Sequence, residues 1–155
     1  MAHRVETEPL ARRLAGSVSV TIDVAGYYRS GSGTSFVPLT PVRVLDTRPT
    51  TTIGGYSTPF GPGTSRAAQL RGRGGVPTGA LAVTGNLVTQ NTTAASQLVA
   101  WPAGTSRPVA TSAMFPTSAA NAGAVTMRPA SSGSVAVHNQ TGSTDLMVDV
   151  TGCFT

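Results

Sequence analysis

The side chains able to do chemistry are few: two histidines, one cysteine, four aspartates and two glutamates in 155 residues. His138 could serve as a general base only with a serine and one of Asp23, Asp46, Asp145 or Asp149, and no G-x-S-x-G elbow accompanies it. A histidine at the surface edge of a strand is the better reading, and His3 stands near the N-terminus. A two-carboxylate hydrolase would need a pair of those same aspartates, because Glu6 and Glu8 also lie near the N-terminus. The acids are too scattered for a calcium loop. Cys153 alone forms no intrachain disulfide or cysteine cluster, and reads as a small packed hydrophobe. The chain is expected to be no enzyme, with no metal and no cofactor.

Asp46-Thr47-Arg48, with Arg43 just upstream, is the sharpest local motif. If a strand runs through it, residues 46 and 48 share a face, so carboxylate and guanidinium can pair in a structural polar network at a sheet end. A ligand-binding arginine is the weaker reading. Arg71-Gly-Arg73-Gly-Gly is a single RGG-like copy without neighbouring aromatics, better explained as a hairpin loop. Trp101, with Tyr27, Tyr28 and Tyr56, could offer aromatic faces to a sugar, and Trp101 precedes Pro-Ala-Gly at a strand end. Packing outweighs that role for each aromatic singly, which leaves Trp101 as the candidate glycan contact.

The elements that must position these residues are strands. Short runs of alternating apolar and small polar residues recur at 17–24, 36–46, 67–70, 81–89, 97–101, 110–115, 124–127, 135–138 and 146–151, and Gly, Pro and Ser turns separate them. Charged residues make up only 11% of the chain, and helical periodicity is almost absent. The expectation is an all-β domain over 16–155: a single antiparallel β-sandwich or jelly roll. Residues 1–15 differ. Thr7 can cap a short helix, with Glu8 in its first turn, Arg12 and Arg13 near its end and Gly16 as its stop. Together with Arg4 they predict a charged attachment arm, helical or extended.

Self-comparison shows a duplicated strand. Gly16-Ser-Val-Ser-Val-Thr-Ile-Asp-Val-Ala-Gly-Tyr-Tyr28 matches Gly142-Ser-Thr-Asp-Leu-Met-Val-Asp-Val-Thr-Gly-Cys-Phe154 at a constant offset of 126, with the apolar alternation in phase. An unpaired edge bearing Val18, Val20, Ile22 and Val24 would invite aggregation, so this assembly strand must pair. Pairing beside 144–152 in its own domain is the favoured expectation, with the arm reaching onto a neighbour. Addition to a neighbouring subunit's edge is the alternative.

Four segments, FVPLTPVRVLDTRP at 36–49, RGRGGVPTGALAVTGNLVTQN at 71–91, LVAWPAGTSRPVATSAMFP at 98–116 and VAVHNQTGSTDLMVDVTGCF at 135–154, resemble a tandem-repeated extracellular β module of actinobacteria. Cys153 stands where that family usually has an aromatic, and Ala113-Met114-Phe115 where it often has Asn-Phe. The resemblance implies a β-rich surface module without catalytic activity of its own.

The net charge of +5 comes from 11 arginines, with no lysine, against 6 acids, and the arginines are dispersed rather than clustered. That argues against nucleic acid as a partner. No apolar run is long enough to span a bilayer, and the first sixteen residues contain no signal-peptide core. The expected function is that of a non-enzymatic structural module on a larger assembly, as a homo-oligomer or among other subunits. A virion protein of an actinobacterial phage, decorating a capsid or tail and released by lysis, fits these features. The alternative is a carbohydrate-binding or adhesion module of an exported cell-surface protein, with a cell-surface polysaccharide as partner.

Overall fold

The computed structural model describes residues 33–155. The alternation is cleanest in the segment Ala-Val-Thr-Gly-Asn-Leu-Val-Thr-Gln, where every second residue is buried along one strand. Eight strands form: β1 Phe36–Asp46, β2 Thr64–Gln69, β3 Ala82–Gln90, β4 Ser96–Pro102, β5 Ala113–Phe115, β6 Asn121–Met127, β7 Ser134–Asn139 and β8 Asp145–Phe154. No helix occurs among the described residues.

All pairings are antiparallel, and the strands make two four-stranded sheets in the orders β1-β8-β3-β6 and β2-β7-β4-β5. Within these orders β1 pairs with β8, β2 with β7, β3 with β6 and β4 with β5. The chain is thus doubled on itself and rolled, which is the jelly-roll arrangement of a β-sandwich. The inner faces share one core, to which Leu45, Val83, Leu87 and Val148 contribute from the first sheet and Leu98, Val135 and Val137 from the second. Burying each such side chain contributes about 1.5–3 kcal/mol, and Phe60, fully buried in a connection, fills the space between layers.

β8 is threaded between β1 and β3, with both its edges hydrogen-bonded. The favoured expectation that 17–24 would pair beside 144–152 is therefore corrected: no free edge exists there. That strand and the arm, with Arg4, Glu8, Arg12, Arg13, Val18, Val20, Ile22 and Val24, lie outside the described residues. The strand expected at 110–115 shortens to Ala113–Phe115 because the Ser112 hydroxyl accepts the Ala100 N–H at 2.8 Å, where a backbone carbonyl would otherwise continue the ladder. β2 starts three residues earlier than its apolar pattern suggests, because Thr64, Ser65 and Arg66 pair in register with Asn139, His138 and Val137.

β1 is an edge strand that offers little to a further strand. Pro38 and Pro41 remove two N–H donors, and at its far end Asp46 donates its N–H to Ile53 O at 2.9 Å. Between Arg43 and Leu45 the register slips, so that two steps along β1 match one step along β8. The extra residue, Val44, makes a β-bulge, and both Val44 and Leu45 enter the core.

Candidate functional site

The bulge brings the Asp46 motif together. Residues 43 and 46 are an odd number of positions apart and would face opposite sides of a regular strand, but the extra Val44 returns both to the outer face of the first sheet. Arg43 lies opposite Asp149 and grips it with both arms of its fork, Nε to Oδ1 at 2.7 Å and a terminal nitrogen to Oδ2 at 3.0 Å. Its other terminal nitrogen donates to Asp46 Oδ2 at 3.1 Å. Arg48 closes the network from the other side, donating its side chain to Asp46 at 2.7–3.2 Å and its backbone N–H to Asp46 Oδ1 at 3.1 Å.

The route to that pairing differs from the shared strand face inferred from spacing. β1 ends at Asp46, and Arg48 returns through a turn stabilised by the aspartate's own side chain. Thr47 is fully buried and stitches the turn to β8, its hydroxyl accepting the Leu146 N–H at 2.9 Å and its N–H donating to Leu146 O at 3.1 Å. Burial would push the Asp46 carboxyl up, but the hydrogen bonds from Arg48, Thr51 and Arg43 hold it well below the usual carboxylate range. The Asp149 hydrogen bonds raise the Arg43 guanidinium against the opposing effect of its burial. A carboxylate so fully engaged is a poor proton acceptor, and the arrangement is a clamp between the first and last strands.

The second sheet carries the described histidine. His138 is 5% exposed and stands between Ser65 on β2 and Val99 on β4. Ser65 Oγ lies 2.9 Å from its Nδ1. Burial lowers the imidazole's pKa and the positive charge of Arg107 lowers it further, against a hydrogen bond with Gln140 that raises it. The described aspartates belong to β1 and β8 of the opposite sheet, and no Ser-His-Asp set is assembled among the described residues.

Beside this pair an open cleft of about 860 Å³ runs over β4 and the 107–114 segment, lined by Gln97, Val99, Arg107, Val109, Met114 and Gln140 among others. Its amides, its guanidinium and its apolar floor could hold a polyhydroxyl ligand. Trp101 does not line the cleft: it is half-buried, and its indole N–H donates to Thr105 O at 3.0 Å. Tyr56 lies under the Arg66 guanidinium, 5.1 Å from it, while Tyr27 and Tyr28 fall outside the described residues. Arg71 of the RGG-like segment is a staple, donating to Ala80 O at 2.7 Å and Ala130 O at 3.1 Å.

Sequence reasoning missed Ser65, Arg107 and the two cleft amides, since only the register and the path of the 103–112 loop bring them together. It also missed Asn139, fully buried, whose amide donates to the carbonyls of Phe60, Gly61 and Gly142 and so holds two loops at one end of the sandwich. Asp145 is buried too: one oxygen accepts from Asn91 at 2.8 Å and the other has no hydrogen-bond partner. No protein-family model matches the chain, and no curated protein is significantly similar to it.

Proposed function

We propose that this chain is a non-catalytic structural module that builds into a larger assembly as one of its surface subunits. The observation carrying this reading is two exposed apolar side chains at one end of the first sheet, on the segments that flank the end of β8. Phe36 is 51% exposed and Leu81 54%, and the register sets Phe36 opposite Phe154, with Leu81 bonded through its N–H to Phe154 O. A partner surface laid over this end would cover both side chains. A neighbouring subunit is the covering surface in this reading. The clamp supports it as well, since Asp46 and Asp149 hold strands together rather than standing ready for substrate.

The finer reading is a virion component of an actinobacterial phage, which rests on the motif resemblance. Jelly rolls serve in viral capsids and also in lectins, so the fold is compatible with it only by analogy. The native mass tests the proposal: a closed oligomer is expected, which Phe36→Ser with Leu81→Ser dissociates while leaving the sandwich folded. A monomer at high concentration would end it. A second reading, carbohydrate binding, draws on the cleft. It requires that a cell-wall polysaccharide bind the intact protein and that Arg107→Ala weaken that binding at least tenfold, while Trp101→Ala tests the aromatic directly.

A further inference from the structure

We infer that the cleft over the second sheet is a binding site for an acidic polysaccharide, with Arg107 holding a sugar carboxylate. The inference rests on the carbohydrate reading and deepens it, because it names the charge that the ligand must carry.

The cleft lies on the face of the second sheet turned away from the core. Leu98, Val135 and Val137 take the inner positions, so Val99 and His138, which stand opposite each other on β4 and β7, point outward. Both are nevertheless buried, at 4% and 5% exposure. The 103–112 connection is fastened along β4 and walls the cleft: Ser112 donates its N–H to Leu98 O and accepts the Ala100 N–H on its hydroxyl, both at 2.8 Å, and the Thr111 hydroxyl donates to Gln97 Oε1 at 2.9 Å. Its volume of about 860 Å³ falls within the range of about 300–1,000 Å³ found for small-molecule sites.

Charge decides what such a cleft takes. The described acids, Asp46, Asp145 and Asp149, all belong to β1 and β8, so no described acidic side chain stands on the second sheet or in the 103–112 connection. Four other arginines are spent: Arg43 and Arg48 on aspartates, Arg66 on the carbonyls of Thr58 and Pro59, Arg71 on those of Ala80 and Ala130. Arg107 is exposed, lines the cleft, and makes no ion pair or side-chain hydrogen bond among the described residues. An unpaired guanidinium in a site without acids selects a carboxylate, which it can grip with two parallel bonds.

The neighbouring groups favour a sugar over a peptide. An extended peptide binds by strand addition, which needs unpaired backbone groups. Here Ser112 takes the Ala100 N–H and the Leu98 carbonyl, and Asn121 takes the Met114 carbonyl. The cleft instead offers the side-chain amides of Gln97 and Gln140 over Val99 and Met114, polar groups for hydroxyls and an apolar floor for a sugar ring.

Titration calorimetry with oligogalacturonate and its methyl ester tests the charge, since the two differ only at the carboxylates. The acid is expected to bind and the ester to bind about tenfold more weakly or worse, and Arg107→Gln should erase the difference. Arg73→Gln and Arg128→Gln, at exposed arginines outside the cleft, should preserve it. Losses equal to that of Arg107→Gln would mean a diffuse basic surface and overturn the inference. Equal affinity for acid and ester would overturn it while the carbohydrate reading stands, and failure of both to bind at millimolar concentration would end the two together. Hexaglutamate bound as tightly as the acidic sugar would show a peptide site instead. Proton NMR locates the ligand: the His138 ring signals should shift as the oligomer is added, and unmoved signals would place it elsewhere.

Discussion

Arg43 and Asp149 face each other across the β1–β8 ladder, and the guanidinium holds both carboxylate oxygens, at 2.7 and 3.0 Å. A bidentate charged pair between the first and last strands fastens the two ends of a chain that folds by doubling back on itself. Arg43 also serves the fully buried Asp46, so its removal leaves a carboxylate short of a donor in the interior. Arg43→Met is expected to cost about 2–4 kcal/mol by urea unfolding. In a double-mutant cycle with Asp149→Asn the two changes should be non-additive by at least about 1 kcal/mol. Additive losses would show that the pair is not coupled.

Acid should loosen the same clamp. Asp46 has a carboxyl pKa held well below its ordinary value in the folded protein, so folding favours its ionised form. The resulting stability is fully present above the unfolded pKa of about 3.9 and declines as pH falls from there toward the folded value. Melting temperature measured from pH 6 to pH 2 should fall most steeply below about pH 4. Asp46→Asn, destabilised at neutral pH, should show a shallower fall; an unchanged acid slope would assign the transition to other carboxylates.

Strand positions were legible in the sequence wherever one face is buried, because burial imposes period two: 81–89 shows this well, while 36–46 was legible from its apolar run although its burial does not alternate. The register was not, and the site depends on it. The bulge at Val44 has no local signal in Arg-Val-Leu-Asp, yet without it Arg43 and Asp46 would stand on opposite faces. Asp46 and Arg48 were recognisable as partners from residue type, while the turn joining them was mistaken for continuing strand. Ser65 and His138 are 73 positions apart and meet only through the β2–β7 pairing. The duplicated strand was visible as a repeat, but where it could not lie followed only from the sheet order.

The β3–β8 contact is tight enough to be tested by one methyl group. An added Cβ at Gly85 would lie 2.0 Å from Asp149 O, a backbone atom that cannot move without disturbing the ladder beside the Arg43 pair. Gly85→Ala should therefore cost about 3 kcal/mol or more, at the upper end for overpacking. At Gly79 nothing lies within 4 Å of the added atom, so Gly79→Ala should change stability little. Circular dichroism melts of the two variants make the comparison, and equal stabilities would show that β3 and β8 can separate cheaply.

His138 should give the second sheet a pH dependence of its own. Burial and the nearby Arg107 lower its pKa in the folded protein, so folding favours the neutral ring and the unfolded chain binds the proton more readily. Stability on this account is complete above the unfolded pKa of about 6.5 and diminishes as pH falls below it. Besides burial, two groups shape the effect: Arg107, whose charge opposes protonation, and Gln140, whose hydrogen bond favours it. Arg107→Gln should raise the histidine's pKa measured by proton NMR, and Gln140→Ala should lower it. The loss of melting temperature between pH 7 and pH 5 should shrink in His138→Gln, and an unaltered loss would place the responsible group elsewhere.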